Sequence, residues 1–136
     1  MFFVKVVIIY CQRKVRGESI MLIVENVGRI EYRDDVECRY SYRVIKDKVT
    51  FLDGDKQEIQ SYGIEIERQD IIDGKLVRIE RDNVKCISPH RHKVHDLARM
   101  LYDNLVSPIH LIDILGEYID EYITDFDEIL KDIYIC

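Results

Sequence analysis

The sequence predicts an α+β fold, an antiparallel β-meander of about five or six strands covered on one face by two C-terminal helices. Apolar and polar residues alternate in segments through the first two thirds of the chain, which is typical of strands that bury one face. Turn-forming residues separate these segments, and the last third repeats apolar residues at helical spacing. Because a sheet with one apolar face needs a cover, we expect the helices to pack on it.

The composition fits a single globular domain over residues 21–136. The chain has 136 residues, of which 47% are hydrophobic and 34% charged, so it is neither disordered nor fibrous. The formal net charge of -6 argues against a nucleic-acid partner, which usually selects a basic surface. The unbroken apolar run 6–11 is far too short to span a bilayer, which takes about 20 residues. We therefore expect no membrane partner.

Residues 1–20 have two interpretations, which stay open at this point. The segment FFVKVVIIY is typical of an additional N-terminal strand. Alternatively, Arg16-Gly17-Glu18 can be encoded by a purine-rich stretch of the form AGR-GGN-GAR, which resembles a bacterial ribosome-binding site placed just before Met21. On that interpretation translation starts naturally at Met21, and residues 1–20 are a mis-annotated leader.

The clearest strand alternates four inward residues with polar neighbours. A turn is predicted at 46–48, followed by a short strand over 49–52 and a loop at 53–55, where Gly54 accepts positive φ. The inward residues of the first of these strands are Cys38, Tyr40, Tyr42 and Val44.

A further strand is predicted around Tyr62, Ile64 and Ile66. Gly63 inside it indicates a bulge or a crowded backbone. Ile59 has the opposite parity from Tyr62, which predicts a second bulge between them.

Two hairpins are predicted after this strand. Asp73-Gly74 is a strong turn signal. A second tight turn is predicted at residues 82–83, where it would place Ile79 opposite Cys86 on the apolar face. It would also pair Glu80 with Lys85 on the polar face.

Two helices are predicted to begin at Ser88-Pro89 and Ser107-Pro108, since Ser caps a helix and Pro suits its first position. The apolar stripe of the first helix is Val94, Leu97, Met100, Leu101 and Leu105. The stripe of the second is Leu111, Ile112, Leu115, Tyr118, Ile119, Tyr122, Ile123 and Phe126.

The four cysteines are scattered, without a Cys-x-x-Cys pair or a secretory framework. Cys38 and Cys86 fall on predicted inward faces, where we expect buried, reduced thiols. This pattern predicts a cytoplasmic protein.

A cationic cluster at the start of the first helix suggests an anion site for phosphate or a nucleotide, because helix N-termini offer free N–H groups. Its residues are His90, Arg91, His92, Lys93 and His95. The histidines with Cys86 match no specific zinc spacing, and the interleaved cations disfavour a metal. We therefore expect no metal and no cofactor.

The second helix carries an acidic face, and the stretch from 103 to 128 contains eight acidic residues without Lys or Arg. We interpret this face as a docking surface for a basic protein partner, formed by Asp113, Glu117, Asp120, Glu121 and Asp125. The structural alternatives are a solvated helix face, or two helices of opposite charge that attract each other within one molecule. Elsewhere, Glu65 and Glu67 share a strand face, which we predict to be solvated.

Several segments of the chain resemble a family of short uncharacterised proteins, a domain of unknown function from anaerobic spore-forming Gram-positive bacteria. The resemblance covers roughly residues 30–125 and implies no activity, cofactor or site. Its members usually lack a counterpart of residues 1–20, which favours a start at Met21. The segments that carry it are YSYRV (40–44), SYGIEI (61–66), ISP (87–89) and VSPIHLID (106–113).

No catalytic motif such as GxSxG or HExxH occurs, so an enzyme is not expected and no residue is assigned a catalytic role. The sequence favours a small cytoplasmic interaction or regulatory module. Its partner would be an unknown basic protein or a second copy of the chain. The alternative is a small-anion binding protein that uses the start of the first helix.

Overall fold

The computed structural model describes residues 21–53 and 55–135, which form one antiparallel sheet and two helices. Its elements follow in the order β1 (Leu22–Arg33), β2 (Val36–Asp53), β3 (Asp55–Ile72), β4 (Lys75–Ser88), α1 (Arg91–Asp103), a 3-10 turn (Pro108–His110) and α2 (Leu111–Ile135). The α+β class and the two C-terminal helices are confirmed. The predicted strand within residues 1–20 lies outside the described residues.

The sheet is a plain meander in the order β1-β2-β3-β4, with each strand antiparallel to the next. The predicted Asp73-Gly74 hairpin is confirmed, and both residues have positive φ, 51° and 77°. Two left-handed residues suit a two-residue turn whose twist matches that of the strands. Asp34, with a φ of 54°, lies in the corresponding turn between β1 and β2.

The described residues form four long strands, fewer than the predicted five or six, because two predicted turns are strand interiors. Residues 46–48 continue β2, and residues 82–83 continue β4. Ile79 therefore lies opposite Gln69, and Glu80 lies opposite Arg68, so the predicted pairings with Cys86 and Lys85 are wrong. The 18-residue β3 supplies hydrogen-bonding partners on both sides, which outweighs the local turn preference of Asp82 and Asn83.

The predicted irregularity at Gly63 is confirmed. Tyr62 pairs with Ser88 and Ile64 with Val84, so three residues of β4 stand opposite this one glycine. A Cβ on Gly63 would overlap the carbonyl oxygen of Val84 and lie 2.5 Å from that of Lys85. The glycine is therefore required for the close approach of β4.

The bulge predicted between Ile59 and Tyr62 is wrong, because β3 pairs with β2 without a shift through this segment. Both side chains are nevertheless buried, on opposite faces of the strand. The sheet is thus covered on both faces here. Polar and apolar residues therefore do not alternate strictly along this part of β3.

The main core lies between the sheet and α1, which crosses the face predicted to be apolar. All four predicted inward residues of β2 are buried there, as are Ile64 and Ile66 of β3. From the helices, the buried residues of this cluster are Val94, Leu97, Ala98, Leu101, Leu111 and Leu115. The predicted stripes hold with two exceptions. Ile112 is 57% exposed, and Leu105 lies beyond α1 with a φ of 51°.

The helices start later than predicted. Ser88 is the last residue of β4, three residues before α1 begins, and its hydroxyl accepts a hydrogen bond from the backbone N–H of His90 at 3.1 Å. Ser107 and Pro108 open the 3-10 turn that leads into α2, as the Ser-Pro pattern suggests. His110 donates its backbone N–H to the Ser107 carbonyl at 3.0 Å.

The two cysteines predicted to face inward are both buried. Cys38 is a free thiol, and burial raises its pKa, which makes it unreactive. Cys86 takes part in a disulfide, so the prediction of a reduced thiol is wrong for this residue. Within the described part of the chain, neither helix has the length and apolar character needed to cross a membrane.

Candidate functional site

The acidic face of α2, defined here as Asp113, Glu117, Asp120 and Glu121, is exposed along the first half of the helix. These positions are separated by four, three and one residues, so they lie on one side of a helix with 3.6 residues per turn. None of the four carboxylates forms an ion pair with another described residue. Their negative charge is therefore directed at solvent, without compensation from the part of the chain that the structure describes.

Asp125 does not belong to this face, which corrects the prediction. It is only 6% exposed, and Lys93 donates to its Oδ2 at 2.7 Å. The hydroxyl of Ser88 donates to the same oxygen at 3.2 Å. Asp125 therefore joins α2 to α1 and to the end of β4, because a buried carboxylate needs such partners.

Apolar side chains extend the acidic face towards the start of α2. Ile109 and Ile112 are 68% and 57% exposed, and they lie one helical turn before Asp113 and Gly116. Gly116 has no neighbouring atom that a Cβ would meet. Two exposed isoleucines, a glycine and the four carboxylates therefore lie close together on the surface of this helix and the turn before it. The sequence analysis assigned one of these residues, Ile112, to the apolar stripe that faces the core.

The cationic residues at the start of α1 are mostly engaged inside the molecule. Arg91 pairs with Glu25 of β1 at 3.1 Å and also donates to the carbonyl of Val24 at 3.2 Å. The Nδ1 atom of His95 lies 2.5 Å from the other oxygen of Glu25. With Lys93 held by Asp125, three of the five residues predicted to bind an anion already have acidic partners.

The remaining two residues of that cluster, His90 and His92, place their rings 5.7 Å apart. The backbone N–H of His90 is already bonded to Ser88, so it is not available to an anion. Among residues 21–53 and 55–135, no three His, Cys, Asp or Glu side chains converge as metal ligands. These contacts give the predicted anion site no added support.

The pair Glu65 and Glu67 is buried, so the predicted solvated face is wrong at these positions. Arg43 of β2 donates to Glu65 at 2.8 Å and to Glu67 at 2.7 Å. Gln69 and Arg81 also donate to Glu67. Burial alone would raise the pKa of Glu67, but the hydrogen bonds from Gln69 and Arg43 lower it overall. Glu65 and Glu67 therefore belong to a structural ion-pair cluster, since each of the two carboxylates has a cationic partner.

A hollow of about 400 Å³ opens at the end of the sheet, where the β1–β2 and β3–β4 turns lie side by side. Of the eight described residues that line it, four are acidic and one, Arg39, is cationic. The hydroxyl of Tyr32 donates to Glu37 at 3.2 Å at its rim. Sequence reasoning did not identify this hollow, because the two turns are distant in the chain.

The fold and its surface define a small α+β domain whose described residues bring together charged and apolar surface but no catalytic motif. The chain belongs to the Family of unknown function (DUF6514), whose model matches residues 21–121. The membership confirms the expected resemblance to a domain of unknown function. No curated protein and no solved structure gives a significant match.

Proposed function

We propose that this protein is a small interaction or regulatory module that docks a basic protein partner on the acidic face of α2. The observation that carries the proposal is the contrast between the carboxylates of the chain. Glu25, Glu67 and Asp125 are paired with cations inside the molecule, whereas the acidic face has no such partner in the described chain. An uncompensated field of one sign attracts opposite charge and speeds encounter.

The chemistry of the surface favours a partner with both cationic and apolar side chains. Basic residues of the partner would meet Glu117, Asp120 and Glu121, while an apolar residue would cover Ile109 or Ile112. Interfaces gain most of their binding free energy from such a desolvated apolar centre, and charges at the rim set orientation. The proposal includes a bacterial, cytoplasmic setting, for which the support is the resemblance to a bacterial family and the buried free thiol of Cys38.

Site-specific photocrosslinking tests the position of the interface. The photoreactive residue p-benzoylphenylalanine replaces Ile112, next to the acidic face, in the full chain expressed in cells of the source organism. Ile79 is the matched control, because it is the same residue type, 50% exposed, and lies on the sheet. We expect a discrete protein adduct from position 112 and none from position 79. Equal adducts from both positions, or none from position 112, would overturn the proposal.

A further inference from the structure

The outer side of β1 is a strand edge without a hydrogen-bonding strand in the described part of the chain. There β1 pairs only with β2, and the register of the pair is regular over residues 25–33. The residues on either side of a two-residue turn, here 34–35, exchange hydrogen bonds, and such residues alternate along the pair. Gly28, Ile30 and Tyr32 therefore direct their N–H and C=O groups away from β2. Such an edge is a template for a further strand.

The side chains of this edge are charged on one face of the sheet and mainly apolar on the other. Arg29 and Glu31 lie on the face that α1 covers, and they pair with each other at 2.9 Å. Ile30 and Tyr32 lie on the opposite face and are 50% and 71% exposed. Proteins usually protect an edge strand with charged residues or proline, so an exposed isoleucine and tyrosine are typical of an edge that binds another strand.

Charge complementarity identifies a second copy of β1 as the occupant of this edge. When two copies of one strand pair antiparallel about a two-fold axis, the residue on the axis faces its own copy. With Ile30 on the axis, Arg29 of each copy faces Glu31 of the other, which makes two ion pairs. Tyr32 of each copy then lies beside Gly28 of the other, where its ring covers the exposed glycine.

Neighbouring registers of the same pairing are less favourable. An axis one residue to either side sets Arg29 against Arg29 or Glu31 against Glu31. An axis at Gly28 sets Glu25 against Glu31. Like charges directly opposite each other destabilise a strand pair, so the charges of β1 select the register with Ile30 at the centre.

The opposite edge of the sheet carries the same three residues in a different setting. Arg78-Ile79-Glu80 of β4 repeats Arg29-Ile30-Glu31 of β1, and Ile79 is also 50% exposed. However, the register of β4 against β3 shifts at Val77, directly before this triplet. A bulge bends an edge strand and protects it from pairing, whereas the triplet of β1 lies in a regular stretch. Pairing of β1 with β4 would build an open array instead of a closed dimer.

We propose that the protein forms a homodimer by antiparallel pairing of β1 with its own copy about Ile30, which joins two four-stranded sheets into one continuous sheet. The overlap covers only residues 27–33, because the turn at 34–35 ends it. This contact is smaller than a standard interface, so the dimer dissociates on dilution. The proposal is independent of docking on α2, since it uses no residue of the acidic face.

Sedimentation equilibrium on the full chain tests the dimer. We expect the mass to rise with concentration from that of one chain to that of two. The variant E31R sets arginine against arginine twice and should raise the dimer Kd at least about tenfold, while its far-UV circular dichroism stays that of the wild type. The double variant R29E and E31R exchanges the two charges and should restore dimerisation. The matched control is E80R, which makes the same change in the triplet of β4 and should dimerise like the wild type.

An isotope-filtered NOE experiment on a mixture of labelled and unlabelled chains tests the register. Arg29 and Glu31 of different copies form a non-hydrogen-bonded pair, whose Cα atoms lie about 4.5 Å apart, so their Hα protons should give an intermolecular NOE. A monomer at every concentration, an assembly that grows beyond two chains, or a dimer lost in E80R and kept in E31R would overturn the proposal. Intermolecular NOEs that join other residues without this pair would do the same.

Discussion

Glu65 and Glu67 show that local sequence patterns are a poor guide to what surrounds a single side chain. The spacing of Glu65 and Glu67 places them on one face, which is correct, and β3 pairs with Arg43 of β2 beside them. Their burial was not predictable, because it depends on the sheet being covered on both faces. The same holds for Asp125 on α2. Its position on the helix was predicted correctly, but its partner Lys93 lies 32 residues away in the chain.

Gly63 gives the sharpest test of the fold at the residue scale. Replacing it with Ala should destabilise the protein by at least about 2 kcal/mol, because the new Cβ would overlap backbone that cannot move without breaking the β3–β4 pairing. Denaturant unfolding of G63A measures the loss. The control is G116A, where the Cβ meets nothing and a helix interior gains about 1 kcal/mol from Ala. Equal stabilities for the two variants would contradict the described approach of β4.

Glu67 should make stability depend on pH. Its folded pKa lies below the unfolded value, so its contribution is present above the unfolded pKa of about 4.5 and is lost as pH falls through the folded pKa. The free energy of unfolding should therefore fall more between pH 7 and pH 3 in the wild type than in E67Q. The variant E58Q, at an exposed position, is the control. A pH profile of E67Q that matches the wild type would contradict the assigned pairing with Arg43 and Gln69.

At the scale of the elements, local signals located most strands and helices but not all of their ends. The alternation of polar and apolar residues located β2 and β3, and Asp73-Gly74 located the turn of the β3–β4 hairpin. Both signals act within a few residues of the chain. The turns at 46–48 and 82–83 were predicted from the same kind of local preference, and pairing with the 18-residue β3 overrides them in both strands. Turn residues alone do not end a strand whose hydrogen-bonding partner continues.

The C-terminal end of α1 depends on a residue that the helix itself does not supply. No basic residue lies in its last turn, and Arg29 of β1 donates instead to the carbonyls of Tyr102 at 2.8 Å and Asp103 at 3.3 Å. A cation at this end satisfies free carbonyls and opposes the negative end of the helix dipole. The contact also ties β1 to the helix, at the opposite end from Glu25.

The variant R29M should therefore lower the free energy of unfolding by about 1 kcal/mol and speed amide exchange at residues 100–103. Arg39 provides the control, since it is an exposed arginine on β2 whose one ion pair among the described residues is with Glu37. R39M should change stability by less than about 0.5 kcal/mol. Equal effects of the two variants would show that Arg29 does not cap α1.

At the scale of the whole molecule, part of the described charge is held in internal ion pairs, and a set of unpaired carboxylates is exposed on α2. The sequence predicted the segregation, and four of the five acidic residues assigned to the α2 face are exposed. Asp125 is buried. The pairing of the cationic start of α1 with Glu25 was not predictable, because it joins residues about 70 positions apart. Ile109 and Ile112 adjoin the acidic face. Their exposure could have been predicted only from the observation that they do not fit a single inward-facing stripe of the helix.

The most direct test of the docking proposal compares proteins captured from lysate by the wild type and by the triple variant E117K, D120K and E121K. Each substitution of Lys for an acidic residue changes the charge by two units, so the three together change the formal net charge from -6 to 0. A second variant with D35K, E58K and D96K has the same net charge and serves as the matched control. We expect one basic protein to be held by the wild type and the control and lost by the α2 variant. Its retention by the α2 variant, or its equal loss from both variants, would contradict docking on the acidic face.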